Sequence, residues 1–316
     1  MSDYTLLVPL IALGIVLSSM YNGFRSRRNN KECDIDKFIS ENGINPNGKT
    51  SIIWIYMTNE MYSTEWDEFG SMVRDNGVQP YISLCIKSII EKCGSDFNVV
   101  LINDTALSRI IPDWDADMSS VSEPIKGKLR DIAVTKILYL YGGMFVPPSL
   151  LCMKSLIEPY NAATMKNTIL IGEVSSKNIM SAYVDFSPSL SFIGCEKENE
   201  NMLRLTSNME EIMTGDYTEE SIFNGETSQI MTDMYNNGAI SVLDAELIGL
   251  KDNDGYMVTI DRLLGSSFIP FMTGIYGVYI PMNDVETRKT YRWFSLISTR
   301  EIMKSKTVIG EMFKHN

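Results

Sequence analysis

The sequence is poor in the residues that most often carry enzyme chemistry. It has one histidine, His315, next to its carboxyl end, which nearly excludes mechanisms that need a histidine base or a His-ligated zinc. It has no Cys-x-x-Cys pair. The five cysteines, Cys33, Cys85, Cys93, Cys152 and Cys195, are odd in number and sit mostly in apolar runs, as expected of buried thiols in a reducing compartment and not of a secreted disulfide scaffold. Positive charge is scarce: 28 Lys and Arg stand against 40 Asp and Glu, for a net charge of −12. Nucleic acid is therefore not an expected partner, since a phosphate-tracking surface needs clustered cations. The only tight basic cluster is Arg25, Arg27, Arg28 and Lys31. Nucleotide motifs are missing as well. Thr58-Asn59-Glu60-Met61 follows the first apolar run where a dinucleotide fold would have Gly-x-Gly-x-x-Gly, and there is no P-loop and no Gly-x-Ser-x-Gly elbow. These absences argue against dehydrogenase, P-loop ATPase and α/β-hydrolase readings.

The amino-terminal stretch Tyr4 to Phe24 carries no charge. As a helix it would span about 30 Å, enough to cross a bilayer core. A cleaved signal peptide would want positive charge ahead of the apolar run, and a buried core helix would be shorter or more amphipathic. Residues 1–24 are thus expected to form a transmembrane anchor. The basic cluster follows it, so the positive-inside tendency places the large domain on the cytoplasmic side. Asn103-Asp104-Thr105 is a glycosylation sequon, a single match that decides nothing in a chain rich in asparagine. Residues 25–49 read as a polar linker and 50–316 as the main domain.

That domain alternates strand and helix patterns. Ile52–Tyr56 and Val99–Ile102 are continuous apolar runs, as expected of strands buried on both faces. Pro80 opens a helix that Gly94 closes. Ser122 and Pro124 start another, which stops at Gly142-Gly143. Met144–Val146, Thr168–Val174, Ser189–Cys195, Ser241–Leu250 and Gly277–Ile280 are further strand candidates, and Met202–Met213 and Gly225–Tyr235 further helices. The fold expected is α/β, with a mainly parallel sheet covered by helices.

The segment from Leu129 to Leu156 contains Leu138-Tyr139-Leu140-Tyr141-Gly142-Gly143, with Asp131 on the helix before it. It resembles the core of glycosyltransferase family 32 and the related capsular polysaccharide synthesis proteins. Ile53-Trp54, Pro80–Ser88, Ile111-Pro112-Asp113 and Lys154-Ser155-Leu156 fit the same pattern in the same order, so the resemblance covers roughly Ser51 to Cys195. It implies a glycosyltransferase-A-like fold that uses a sugar-nucleotide donor. In that family a divalent cation, held by Asp-x-Asp at a strand end, stabilises the diphosphate leaving group. Here Pro147, Pro148 and Ser149 stand in place of Asp-x-Asp, and Val134 replaces the helix arginine. No metal ligand set is expected from so degenerate a motif.

The remaining candidates are few. Asp131 is retained as a possible nucleotide contact, against the plainer reading of an exposed helix residue. Trp54, Trp114 and Trp293 are aromatic platforms for a base or sugar, with core packing the simpler reading for Trp54. Asp113, Asp115 and Asp117 have Asp-x-Asp spacing but precede a helix and read as a solvated loop. Asp252-Asn253-Asp254-Gly255 reads as a turn. Glu226 and Asp233 read as a polar helix face. Lys126, Lys128, Arg130 and Lys136 are the cations by which a metal-independent transferase would hold a diphosphate. The first expectation is a membrane-anchored pseudoenzyme, with no cofactor, that acts as a structural or binding component with protein partners. Because glycosyltransferase-like proteins are frequent in large DNA viruses, a virion membrane-to-capsid linker is one such role. The alternative is an active, metal-independent glycosyltransferase using a sugar nucleotide.

Overall fold

The computed structural model describes residues 51–58, 78–173, 188–215 and 220–316. The expected anchor (1–24) and linker (25–49) lie outside these residues. Among the described residues no helix is long and apolar enough to cross a membrane.

The first part of the chain runs β1 (Ile52–Tyr56), α1 (Pro80–Cys93), β2 (Asn98–Ile102), the short α2 (Leu107–Ile110), α3 (Ile125–Tyr141) and β3 (Gly143–Phe145). It continues through β4 (Leu150–Cys152), α4 (Ile157–Thr164), β5 (Ile169–Gly172), β6 (Ile193–Cys195), α5 (Glu200–Thr214), α6 (Glu220–Asn236) and β7 (Ile240–Leu243). The last part has α7 (Ile260–Leu263), β8 (Gly277–Tyr279), α8 (Met282–Thr287), α9 (Trp293–Leu296), α10 (Thr299–Lys304) and α11 (Val308–His315). Six strands form one sheet in the order β2-β1-β3-β6-β5-β7, and β4 and β8 pair separately. In the large sheet β1 pairs in parallel with both β2 and β3, and β5 with β7. Only β6 runs against its neighbours. The α/β class and the mostly parallel sheet agree with the sequence.

Strand alternation explains why this sheet needs cover on both sides. Ile53, Ile55, Met144 and Leu170 point into one core, which also takes the apolar side of α1, the small sheet and the carboxyl-terminal helices. Ile52, Trp54, Phe145, Ile169 and Ile171 point into the other, against α3, α5 and α6. At roughly 25 cal/mol per Å² of apolar area, two such cores are the main stabilising term. The run Ser241–Leu250 behaves differently from its strand expectation. Pairing ends at Leu243, and Leu247, Ile248 and Leu250 enter the first core from turns instead.

The Tyr-Gly-Gly element is where helix α3 becomes strand β3. Gly142 and Gly143 have φ of 68° and 92°, a region open to glycine and costly for other residues. Both are also crowded. A Cβ on Gly142 would meet the Lys197 amide nitrogen at 2.6 Å, and one on Gly143 would overlap the Ile52 carbonyl oxygen. The surrounding aromatics serve the same crossing. Trp54 is fully buried, donates its indole N–H to the Gly142 carbonyl at 3.0 Å, and packs beside Tyr141 and Phe145. The Tyr160 hydroxyl accepts from the Gly143 N–H at 3.2 Å and donates to the Cys195 carbonyl at 3.1 Å.

Candidate functional site

The order of the first three strands fixes where a crevice opens. From β1 the chain passes through α1 on one face to β2. From β2 it passes through α3 on the other face and lands as β3 on the opposite side of β1. Such a reversal leaves a gap outside the carboxyl ends of the strands, where open α/β sheets bind ligands. The segments that meet there are Tyr56–Thr58 after β1, Asn103-Asp104 after β2 and Val146–Ser149 after β3.

Two cavities occupy this end. The smaller, about 220 Å³, is lined by Tyr56, Thr58, Arg130, Asp131, Val134, Phe145, Val146, the Pro147-Pro148-Ser149 segment, Leu190, Ser191, Tyr279 and Met282. Asp131, Val134 and the Pro147-Pro148-Ser149 segment thus line the same cavity. This segment forms a turn. The Leu150 N–H donates to the Pro147 carbonyl at 3.0 Å, so Pro148 takes the first corner of a four-residue reversal, a place its fixed φ favours. The turn feeds β4 directly. Ser149 is buried, and its carbonyl accepts from the Ile280 N–H at 3.0 Å. These positions offer no carboxylate and lead into the pairing of β4 with β8. A divalent cation with hard oxygen preferences does not fit them. Among the described residues no cluster of three or more His, Cys, Asp or Glu is arranged to hold a metal.

The cations expected to serve a diphosphate are already committed. Arg130 grips Asp104 with two parallel bonds, Nε to Oδ1 at 2.9 Å and Nη2 to Oδ2 at 2.8 Å, and its Nη1 reaches Glu123 at 3.1 Å. Lys126 lies 3.6 Å from Asp104 Oδ2, and the Tyr56 hydroxyl donates to Oδ1 at 2.6 Å. Such charge-assisted bonds are each worth about 1.5–3 kcal/mol. Burial pushes the Asp104 carboxyl up, but the bonds from Arg130 and Tyr56 and the charges of Arg130 and Lys126 outweigh it and hold the group below its ordinary range. Burial and the Asp104 bond push the Tyr56 phenol well up, and the Asp104 bond raises Arg130. Glu123 also accepts from the Gly127 N–H at 2.9 Å, in the first turn of α3. The helix terminus and the guanidinium, both natural anion binders, are thus met by carboxylates of the chain itself. Lys128 is buried with its ammonium 5.6 Å from the Phe223 ring centre, and Lys136 pairs with Glu210 at 2.6 Å.

The other candidates separate cleanly. Trp54 is a core residue with no exposed surface. Trp293 is partly exposed and stands edge-on to Phe294. Asp252 Oδ1 accepts from the N–H groups of Asp254 and Tyr256, and its Oδ2 takes Arg262 at 2.7 Å, so that motif is a pinned turn. Asp233 is exposed and accepts from Gln229 one turn away; neither it nor Glu226 lines the two cavities. Trp114, Asp115 and Asp117 line the larger cavity, about 600 Å³, at the ends of β1 and β2. Sequence reasoning singled out those three but missed Asp104, which lines the larger cavity and holds Arg130 of the smaller one. Its only signal was its place directly beyond a buried strand. Comparison of the chain with protein-family models, with curated proteins and with solved structures finds no match in any of the three.

Proposed function

We propose that the chain is a glycosyltransferase-like protein of the family 32 type that has lost metal-dependent transfer and serves as a membrane-tethered binding or structural component. The observation that carries this reading is the Pro147–Leu150 turn at the carboxyl end of β3. It stands at the switch point of the sheet, where the resemblance places the metal-binding carboxylates, and it supplies none. The glycosyltransferase-A-like assignment is supported by the resemblance and by the position of Tyr-Gly-Gly immediately before that strand. The alternative of metal-independent transfer draws no support from the cations near the cleft. Arg130 and Lys126 are matched by the carboxylates of Asp104 and Glu123, and Lys128 and Lys136 are turned to other partners. Anchoring by residues 1–24, a cytoplasmic domain and protein partners, including a virion membrane-to-capsid role, belong to the same proposal and rest on the sequence.

The test is hydrolysis of a panel of sugar nucleotides by the purified full chain, with manganese and with a chelator. Turnover at the background rate under both conditions is expected. Robust turnover that the chelator abolishes would overturn the reading, and chelator-resistant turnover would establish the metal-independent enzyme instead.

A further inference from the structure

Away from the crevice, two buried thiols meet across the first core. Cys93 ends α1 and Cys152 ends β4, and their sulfurs are 3.7 Å apart. Both are free and fully buried. The other described cysteines lie elsewhere. Cys85 stands more than two turns earlier on α1, and Cys195 sits in the second core with its sulfur 3.7 Å from the Leu138 carbonyl.

The chain is tied on both sides of this pair. The Cys152 N–H donates to the Ser88 hydroxyl at 2.8 Å, and the Ser155 hydroxyl donates to Asp96 Oδ2 at 2.6 Å. Ser88 and Asp96 flank Cys93, so β4 and the segment after it are held along α1 in one register. A disulfide needs its sulfurs at about 2.05 Å, so the gap has to close by about 1.7 Å. Rotation about the two Cα–Cβ bonds moves the sulfurs and leaves the backbone ties in place.

The two thiols are not equivalent. The bond from Cys152 holds the Cys93 thiol below its ordinary value against burial, with help from the Leu156 N–H and opposition from Asp96. The same bond and burial push the Cys152 thiol well up. Burial pushes up the thiols of Cys85 and Cys195. The thiolate is the nucleophile in thiol chemistry, so Cys93 is the sulfur that reacts first and Cys152 the one that resolves it. Access comes from the carboxyl-terminal helix. The Asn316 side chain donates to the Cys152 carbonyl at 3.0 Å, and Lys92 Nζ donates to the Asn316 carbonyl at 3.2 Å. Asn316 follows the last turn of α11, and helix ends open at little cost in free energy. An oxidant as small as a peroxide reaches the sulfurs when that turn frays.

We propose that Cys93 and Cys152 are a redox-active pair, joined as a disulfide by hydrogen peroxide and reopened by a small thiol, that staples the end of α1 to β4. The Cys93 thiolate attacks one peroxide oxygen and the O–O bond breaks. Cys93 becomes a sulfenic acid, and the hydroxide released takes up the proton that Cys93 gave up. The Cys152 sulfur then attacks the Cys93 sulfur. The S–O bond breaks, and the hydroxyl leaves with the Cys152 proton as a second water. One peroxide is reduced to two waters as two thiols are oxidised to one disulfide. The loop so closed contains β2, α3, β3 and the Pro147 turn, and a cross-link over so long a loop removes much of the freedom of the unfolded chain.

The test uses the reduced full chain, freed of reductant and titrated with hydrogen peroxide. Thiol counting under denaturing conditions should show two of the five cysteines consumed, and peptide mass spectrometry should find Cys93 joined to Cys152. The melting temperature should rise by roughly 5 °C or more, and dithiothreitol should undo both changes. Cys93→Ser and Cys152→Ser should each abolish the rise, while Cys195→Ser should keep it. The linkage itself is read in the parent chain, so the test stands if a serine variant fails to fold. Asn316→Ala should speed the reaction by about threefold or more, and an unchanged rate would overturn its part as cover. The proposal is overturned if all five thiols survive, if the linked peptides join other cysteines, if Cys93 runs on to a sulfinic acid, or if the link forms without a thermal shift. Sugar-nucleotide turnover would overturn the loss of transfer at Pro147 and leave this pair untouched.

Discussion

The two cavities at the carboxyl ends of the strands share a sheet and are joined by the Asp104–Arg130 pair, yet they are opposites. The cleft beneath Pro147 is small and largely apolar, and its wall is consumed by a turn and by strand pairing. The cavity beside Trp114 is nearly three times as large and is lined by Asn103, Asp104, Asp115 and Asp117. The fold guarantees a crevice, because the strand order reverses there. It does not guarantee chemistry in every part of that crevice. A segment without ligating groups at the end of β3 can therefore coexist with a polar cavity at the ends of β1 and β2.

The sharpest way to break the comparison is to break what both cavities share. Gly143→Ala would force a Cβ into the Ile52 carbonyl in a left-handed conformation, and should cost about 4 kcal/mol. Chemical denaturation should show most of the stability gone and both cavities lost together. Next in size, Ser149→Asp places a charge in a buried turn and should cost about 3 kcal/mol, whereas Asp115→Asn in the open cavity should stay within about 0.5 kcal/mol of the parent. Equal effects at the two sites would remove the distinction drawn between them.

Asp104→Asn tests the joint itself. It leaves Arg130 without its carboxylate and should cost about 2 kcal/mol at neutral pH. The sign of the pH dependence follows from the lowered Asp104 carboxyl. A depressed acid contributes stability above its unfolded value, and that contribution is lost as pH falls through the folded value. Melting curves from neutral to acid pH should therefore converge for parent and variant at the acid end. Smallest in stability terms is the test of sidedness. Asn103 is exposed on the rim of the larger cavity. Expressed in cells that glycosylate, the chain should show no endoglycosidase-sensitive shift at Asn103 if the domain faces the cytoplasm. A shift abolished by Asn103→Gln would reverse the orientation read from Arg25, Arg27 and Arg28.

Some of this was plain in the sequence and some could not be. β1, α1, β2 and α3 were legible because long apolar runs and helical spacing survive in any context where both sheet faces are buried. The end of α3 was legible because two consecutive glycines mark a backbone few residues can follow. The carboxyl-terminal helices from α7 to α11 were not, since elements of four to eight residues are too short to display a period and take their shape from packing. Ser241–Leu250 misled because an apolar run looks the same whether it pairs as a strand or turns into a core. Asp104 stayed hidden because its partner Arg130 is 26 residues away, and no local pattern announces such a pair. The altered motif at Pro147 was visible by comparison with what the resemblance implies, but its conversion into a turn feeding β4 depends on the distant β8.

The crossing at Gly142 and Gly143 has a consequence for how such chains are recognised. Its requirements are steric: no Cβ can be accommodated between β1 and the segment after β6, and Trp54, Tyr141 and Tyr160 brace the passage. A signature centred on Tyr-Gly-Gly is therefore a test of backbone route, blind to whether the residues beyond β3 hold a cation or form a turn into β4. A signature meant to read chemistry and not route has to begin one residue after Val146.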